Sequence, residues 1–300
     1  MPRFLILAAM LAATALIAIA CGGGDGSGNG GDNNGAGIVA SPGNSELVVG
    51  PNRFAFALAD ENNEPIHATD GVSVSLRFFF EDELKSEQEA GFTWAIPDVT
   101  GFFVANVDFD QPGTWKVEAT VVRDGSETPV EFPFPVVERG AAPIIGDPAP
   151  ATGNLTLSQE SNIVRISTDQ EPDLSYYELT VAEALDNDRP FLVIFATPAF
   201  CATRFCGPVV DNVKEISPAY AGRVDFIHIE PFELDEEGLL VTVEGSSGAM
   251  DRVPVQAILA WNLQTEPWIF IVDGSGIIAN RFEGSASPEE LRDAIEAVLS

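Results

Sequence analysis

Apolar and polar residues follow two different patterns in this chain, and the change between them falls near residue 150. Between residues 46 and 139, short runs alternate apolar with polar positions, as strands with one buried face do. Turn signals such as Asp70-Gly71 and Asp124-Gly125 separate the runs. Several strands at this spacing, without a helical period, predict an antiparallel β-sandwich. The predicted strands cover residues 53–58, 72–76, 102–107 and 114–121.

In the second half, buried strands alternate with helical segments. The five apolar residues Phe191–Phe195 form a run too short for a helix and bounded by prolines, so they predict a fully buried strand. Apolar residues at helical spacing after Gly207-Pro208 predict a helix over 207–216. This alternation predicts a parallel α/β core. The other predicted elements are a strand at 163–166, a helix at 180–185, a strand at 224–229, a helix within 251–263, a hairpin at 268–279 and a final helix that begins at Ser287.

Three features of the first half are interpreted as structural. Phe78–Phe80 is predicted to belong to a buried strand, and His67, in a polar stretch, is predicted to be solvated. The acidic residues at 81–83 and 87–89 are predicted to lie in a solvated loop, because they lack the Asp-x-Asp-x-Asp-Gly spacing of a calcium loop. We therefore interpret the first half as a spacer or a partner-recognition module.

Length and composition indicate two folded domains. A chain of 300 residues exceeds one ordinary core, and a hydrophobic fraction of 45% is typical of globular proteins. The segment 141–154, rich in proline and glycine, is predicted to be a linker. The first domain would then cover residues 46–140 and the second 155–300. Gly101-Phe102 and the turn Pro112–Trp115 resemble segments of immunoglobulin-like modules on bacterial exported proteins, so the resemblance implies an immunoglobulin-like sandwich.

The charge of the chain excludes one class of partner. Acidic residues outnumber basic ones by 46 to 15, which gives a formal net charge of −31. Such a surface repels nucleic acid and anionic lipid headgroups. We interpret it as a solvated acidic surface, with adaptation to high salt as the alternative.

The N-terminal segment is predicted to direct export. Residues 1–20 combine Arg3 with a long apolar stretch that ends in small residues, which is typical of a secretory signal. Cys21 follows directly, and a Gly-, Asn- and Asp-rich segment then predicts a flexible tether over 21–45. The sequence Ala18-Ile-Ala-Cys21 resembles the lipobox of bacterial lipoproteins. That resemblance implies lipidation of Cys21 and anchoring to a membrane outside the cytoplasm, whereas the alternative is an ordinary signal peptide or an uncleaved anchor.

Two cysteines remain for the folded part of the chain. Cys201 and Cys206 lie between the buried strand and the helix that follows it. The N-terminus of a helix stabilises a thiolate and lowers the pKa of a nearby thiol. In an exported chain such a pair is expected to be oxidised or redox-active.

The segment Cys206-Gly-Pro-Val209 resembles the Cys-Gly-Pro-Cys motif of the thioredoxin family, with valine in place of the second cysteine. The order of predicted elements over 155–300 is also that of the thioredoxin fold. The resemblance implies an α/β thioredoxin-like domain that follows the sandwich. It further implies a cis-proline facing the active-site cysteine, at Pro267.

The resemblance implies exchange of disulfides with the thiols or disulfides of exported proteins. Cys206 is then the exposed nucleophile at the helix start, and Cys201 is its partner. Arg204 would favour the thiolate and Glu266 would oppose it. Neither a cofactor nor a metal is predicted.

Three other functions are alternatives for these residues. The first is a non-catalytic binding scaffold with a structural disulfide, although closing so short a loop contributes only about 2 kcal/mol, which favours a redox role. The second is copper handling, which a related thioredoxin-like family achieves with two cysteines and a histidine; the candidate here, His228, is predicted to be packed in the sheet. The third, less favoured, is peroxidase chemistry. The motif of that family is Thr-x-x-Cys, and Thr197 lies four residues before Cys201 rather than three.

Overall fold

Two antiparallel sheets form the first half of the described chain. The computed structural model describes residues 37–300. The first sheet contains β1 (Ile38–Pro42), β2 (Gly50–Asp60), β3 (Pro65–Ile66), β6 (Gly91–Ile96) and β7 (Thr100–Phe109). The second contains β4 (Ser73–Phe80), β5 (Glu83–Glu89), β8 (Gly113–Arg123) and β9 (Ser126–Val136). The strand orders are β1-β2-β7-β6, with β3 paired to β2, and β5-β4-β8-β9.

Aromatic side chains fill the space between these two sheets. Phe54 on β2 meets Phe78 on β4 edge to face at 5.2 Å between ring centroids, and it lies 5.0 Å from Phe134 on β9. Trp115 is 1% exposed, and its indole N–H donates to the carbonyl of Gln111 at 3.0 Å. Because both sheets contribute to one apolar core, they form a β-sandwich without any cysteine in it.

Three segments of the first half differ from their predictions. Ile38–Pro42 lies within the predicted tether but pairs with β2, and Ile38 is buried. The predicted acidic loop is the edge strand β5, because backbone pairing with β4 holds a strand whose charged side chains remain in solvent. His67 is half-buried rather than solvated, since its ring lies 4.5 Å from that of Trp94.

A four-stranded mixed sheet forms the centre of the second half. Its strands are β10 (Phe191–Phe195), β11 (Asp225–Ile229), β14 (Trp268–Val272) and β15 (Ile278–Glu283), and its order is β11-β10-β14-β15. β10 is parallel to β11 and antiparallel to β14. The helices are α1 (Val181–Leu185), α2 (Cys206–Ile216), α3 (Gln256–Ala260) and α4 (Pro288–Leu299), and β12 (Thr242–Glu244) pairs with β13 (Met250–Arg252). From β10 to α4 the elements follow the order that the thioredoxin resemblance implied, with the pair β12–β13 inserted between β11 and α3.

The central strand β10 is buried on both faces, as its apolar run predicted. Leu192 and Ile194 pack with the apolar stripes of α2 and α4. Phe191, Val193 and Phe195 pack on the opposite side with residues of α1 and α3. All five side chains are fully buried because helices cover both faces of the sheet.

Several helical predictions for the second half hold, and two elements differ. The capping boxes at Thr180 and Ser287 are present and start α1 and α4. Residues 163–166 are not a strand, since Ile163–Arg165 forms a 3-10 turn. The helix expected within 251–263 is only the five residues of α3, because Met250–Arg252 pairs as β13.

The predicted linker 141–154 is packed against the second half. Ala142 and Ala149 are buried in the core beside β10, and Pro148 forms a bridge with Ile277. Residues 37–300 belong to a single compact unit. Below, the sandwich denotes residues 38–136 and the α/β lobe denotes residues 155–300.

Two buried ion pairs connect the sandwich to the α/β lobe. Arg53 Nε donates to Glu290 Oε1 at 2.6 Å, and Arg281 Nη1 donates to Glu46 Oε1 at 2.9 Å. The arginine side chains are only 7% and 8% exposed. These ion pairs join the sandwich to β15 and α4 of the α/β lobe.

The predicted signal segment 1–20 and the predicted lipidation site Cys21 lie outside the described residues. Within residues 37–300, no helix has the length and apolar character needed to cross a membrane.

Candidate redox site

A disulfide joins Cys201 to Cys206 between the end of β10 and the start of α2. The two Cα atoms are 5.9 Å apart, within the range that a disulfide spans. Exposed Arg204 adopts a left-handed backbone conformation, with φ of 66°, where the loop turns back towards α2. The bridge that the sequence predicted is therefore present at the predicted place.

The exposure of the two sulfurs is the reverse of what we expected. Cys206 is fully buried, whereas Cys201 is half-buried. The prediction that the helix start presents Cys206 to solvent is wrong. Cys206 lies one turn before Val209 and Val210, so it belongs to the apolar stripe of α2 that faces the sheet. The sequence already contained this signal, because Cys206 has the helical spacing to Val209 and Val210 that places it on the same buried face.

Hydrogen-bond donors converge on the sulfur of Cys201. The backbone N–H of Cys206 donates to Cys201 Sγ at 3.3 Å, and Thr203 Oγ1 lies 3.2 Å from the same sulfur. The Thr203 oxygen accepts from the backbone N–H of Phe205 at 3.4 Å, which leaves its own proton free for the sulfur. Because Cys206 N is in the first turn of α2, it has no partner within the helix and carries the positive end of the helix dipole. A negative charge on Cys201 is therefore stabilised.

Thr203 is not part of the thioredoxin motif, so the resemblance did not indicate it. The available signal was a threonine two residues after a cysteine, a spacing at which a hydroxyl bonds to nearby backbone in a turn.

Pro267 lies at the same edge of the sheet as the disulfide loop. The Glu266–Pro267 peptide bond is cis, as the resemblance implied. β14 begins at the next residue, Trp268, which pairs with Phe195, the last residue of β10. Pro267 therefore stands beside the point where the chain leaves the sheet towards Cys201. It is buried, and its carbonyl accepts from the N–H of Gly284 at 2.9 Å.

A buried carboxyl group lies behind the disulfide loop. Glu230 follows β11 directly and is 5% exposed. Its Oε2 accepts from the N–H of Thr168 at 3.0 Å and from the hydroxyl of Thr168 at 2.9 Å. The Thr168 hydroxyl oxygen accepts from the N–H of Ala199, so the hydrogen bonds continue into the loop. Burial raises the pKa of Glu230 to about 7, although the hydrogen bonds from Thr168 act against the rise.

The negative charge of Glu266 is paired with a cation. Glu266 is half-buried, and burial raises its pKa, while Arg252 at 3.6 Å lowers it. Because Arg252 pairs with Glu266, the opposing charge that we expected beside the cysteines is partly neutralised.

Glu230 was not singled out from the sequence, where its signal is an acidic residue between Ile229 and Pro231 at the end of a buried strand.

His228 is packed in the sheet, as predicted. It is 1% exposed, with Nε2 3.0 Å from the carbonyl of Ala196 and Nδ1 2.7 Å from the hydroxyl of Tyr177. Burial lowers its pKa to about 4, so the ring is neutral at neutral pH. Because both ring nitrogens have partners within the protein, His228 is not available as the third ligand of the copper hypothesis. The described residues contain no cluster of three or more His, Cys, Asp or Glu that would hold a metal ion.

Comparison with known proteins finds likeness only among solved structures. No protein-family model matches the chain, and no curated protein matches it. A thioredoxin-family thiol:disulfide interchange protein from Chlorobium tepidum TLS is similar, with 13% identity over 53% of this chain and 100% of its own, at a TM-score of 0.33.

The soluble domain of PmoD from Methylocystis sp. ATCC 49242 (Rockwell) is also similar, with 15% identity over 33% of this chain and 90% of its own, at a TM-score of 0.21. At these TM-scores neither likeness defines the fold. Independently of these likenesses, the α/β lobe has the strand order β11-β10-β14-β15 and a disulfide at the start of α2.

Proposed function

We propose that this protein is a thiol–disulfide oxidoreductase with Cys201 and Cys206 as its redox pair. The observation that supports this best is the position of the Cys201 sulfur. It is half-exposed, is bonded to a buried sulfur, and receives hydrogen bonds from the first turn of a helix and from Thr203. An attacking thiolate reaches Cys201 and not Cys206.

In the oxidising direction, a substrate thiolate attacks Cys201 Sγ. A bond forms between the substrate sulfur and Cys201, and the bond between Cys201 and Cys206 breaks. Cys206 leaves as a thiolate, held at the helix N-terminus, and then takes up a proton. A second substrate thiolate displaces Cys201 from the mixed disulfide. The substrate gains a disulfide, and the protein becomes a dithiol.

In the reducing direction, the same steps run backwards. The Cys201 thiolate, stabilised by the Cys206 N–H and the Thr203 hydroxyl, attacks a substrate disulfide and releases one substrate thiol. Cys206 then loses its proton and attacks Cys201. The second substrate thiol leaves, and the Cys201–Cys206 disulfide forms again.

We also propose that the protein works outside the cytoplasmic membrane. In this proposal, residues 1–20 direct export, a lipid on Cys21 anchors the chain, and the following tether holds an immunoglobulin-like domain and a thioredoxin-like domain away from the bilayer. The substrates are thiols or disulfides of exported proteins. Metabolic labelling with a fatty acid tests the anchor: the full-length chain incorporates the label and Cys21→Ala does not.

Reduction of insulin by dithiothreitol tests the redox function of the full-length chain. We expect the wild type to accelerate the reaction and both Cys201→Ser and Cys206→Ser to remain at the uncatalysed rate.

Trapping of a mixed disulfide in variants with one of the two cysteines replaced tests the assigned roles. Cys206→Ser should accumulate a mixed disulfide with insulin through Cys201, whereas Cys201→Ser should not. Trapping through Cys206 alone would contradict the assignment.

The second candidate function is a binding scaffold with a structural disulfide. The observation that favours it is the full burial of Cys206 in the core next to Val209. The reduction potential of the pair separates the two proposals. A value below about −300 mV, without turnover of insulin, identifies a structural bridge, and a higher value with turnover identifies a catalyst.

A further inference from the structure

The outer face of the sandwich's first sheet lies against the α/β lobe next to the redox site. On the edge strand β6, Thr93 and Ala95 are 4% and 2% exposed, yet neither belongs to the sandwich core. Neighbouring side chains of a strand point to opposite faces, and Thr93 pairs with Phe102 of β7. Phe102 therefore lies on the outer face, since the next residue, Phe103, points into the core. Helix α2 contacts β6.

Phe102 makes an aromatic contact with the residue that precedes Cys206. Its ring meets that of Phe205 edge to face, at 5.7 Å between centroids. Phe205 is the N-cap residue of α2, and its side chain makes no capping hydrogen bond. Packing of the Phe205 ring therefore supports the start of the helix where a side-chain cap is lacking.

The backbone of the sandwich holds the Phe102 ring from the other side. A Cβ atom at Gly43 would lie 2.9 Å from the ring, closer than side chains approach one another. The Gly43 N–H donates to the carbonyl of Ala55 at 2.8 Å, which anchors that backbone to β2. Phe102 is thus confined between Gly43 and Phe205.

We infer that Phe102 is a positioning residue of the redox site. By holding Phe205, it keeps the first turn of α2 against the sheet, so that Cys206 stays buried and Cys201 is the sulfur open to attack. This inference rests on the proposed function for its role in catalysis. It gives the sandwich a part in the chemistry, because the choice between the two sulfurs depends on a side chain of the sandwich.

The rate of alkylation of each cysteine in the reduced full-length chain tests this inference. Iodoacetamide is added under native conditions, and trypsin then cleaves after Arg204, which places the two cysteines on separate peptides for mass spectrometry. We expect Cys201 to react faster than Cys206 in the wild type. In Phe102→Ala, the Cys206 rate should rise about tenfold, the factor set by loss of an aromatic pair. Phe102→Leu, which keeps an apolar side chain but also loses the aromatic pair, should give a smaller rise than Phe102→Ala.

Phe80→Ala is the matched control. Phe80 is also a half-buried phenylalanine of the sandwich, but it packs on Trp115 in the second sheet. We expect this variant to keep the wild-type ratio of the two rates. An unchanged ratio in Phe102→Ala would overturn the inference, and so would an equal rise of the Cys206 rate in both alanine variants, since that would report general loosening. Alkylation needs no turnover. If the wild type fails to reduce insulin, the proposed function is wrong, but the alkylation rates still test the role of Phe102.

Discussion

Glu230 places a carboxyl group in the core behind the disulfide loop, and its protonation makes the stability of the fold depend on pH. Its pKa is raised to about 7 from an ordinary value of 4.5. Between these two values the folded protein holds a proton that the unfolded chain has lost. The stabilisation is therefore complete below pH 4.5 and is lost as the pH rises through 7, by about 3 kcal/mol in total.

His228 has the opposite dependence. Its pKa is lowered to about 4 from 6.5, so folding is favoured above pH 6.5 and disfavoured as the pH falls through 4. Between pH 4.5 and 6.5 the two slopes oppose each other in the wild type. Replacing either residue by one that does not titrate should therefore expose the pH dependence that the other contributes to stability.

We expect Glu230→Gln to change the pH dependence of stability in one direction. Relative to the wild type, the variant should gain about 3 kcal/mol between pH 4.5 and about 8, because glutamine keeps an acceptor for Thr168 but does not ionise. Urea unfolding at a series of pH values measures this difference. Exposed Glu233→Gln is the control and should keep a constant difference from the wild type. A constant difference for Glu230→Gln as well would show that the carboxyl group is ionised in the folded protein.

Helix α4 shows how a local signal supports the core below the redox site. The Ser287 hydroxyl accepts from the N–H of Glu290 at 3.2 Å, and Glu290 Oε2 accepts from the N–H of Ser287 at 3.0 Å. This cap fixes the start of the helix. Leu291 and Ile295 then lie in the apolar cluster that also contains Cys206.

We expect Ser287→Ala to destabilise the protein by about 1 kcal/mol, because the Glu290 N–H loses its acceptor. The change should appear as a lower urea midpoint with the same slope. Ser161→Ala, at an exposed residue outside any helix or strand, should stay within about 0.5 kcal/mol of the wild type. Equal effects of the two substitutions would mean that the cap does not hold α4.

For the whole molecule, the contact between the sandwich and the α/β lobe depends on a few partly buried charges. Burial raises the pKa of Glu290, but the charge of Arg53 at 2.6 Å and hydrogen bonds to the carboxylate lower it by more. The pKa of Glu290 therefore lies below its ordinary value. Since Glu290 also caps α4, a residue of the sandwich and the start of the last helix share one carboxylate.

Arg53→Met should destabilise the protein by about 2–3 kcal/mol, because it leaves the Glu290 carboxylate without its guanidinium partner in a mostly buried place. The double variant Arg53→Met/Glu290→Gln should recover part of this loss, since no unpaired charge remains. Urea unfolding of both variants and of Glu290→Gln completes the cycle.

Arg292→Met is the control for the ion pair. Arg292 and Glu215 are 45% and 59% exposed and both belong to the α/β lobe, so this substitution should cost at most about 1 kcal/mol. If Arg53→Met costs no more than Arg292→Met, the Arg53–Glu290 pair does not hold the sandwich in place.

Elements with a strong local signal could be predicted from the sequence. The apolar run Phe191–Phe195 is β10, and the Ser287 and Thr180 boxes start the helices that they predicted. Weak or misleading signals led to errors. The charged strand β5 has no apolar face to reveal it, and Ile38–Pro42 follows glycine-rich sequence but finds a partner in β2. β5 is decided by pairing with the adjacent strand β4 and Ile38–Pro42 by pairing with β2, and backbone pairing leaves no periodic trace in the side chains.

The candidate site divides in the same way. The sequence by itself determined that two cysteines stand where a buried strand meets a helix, and that Pro267 precedes the facing strand, because these are properties of neighbouring residues. The helical spacing of Cys206 with Val209 and the position of Thr203 near Cys201 are local signals as well. Only the tertiary structure decided that Phe102 lies against Phe205, because that contact joins segments far apart in the chain. The spacing of residues along one strand or helix does not specify what packs against it.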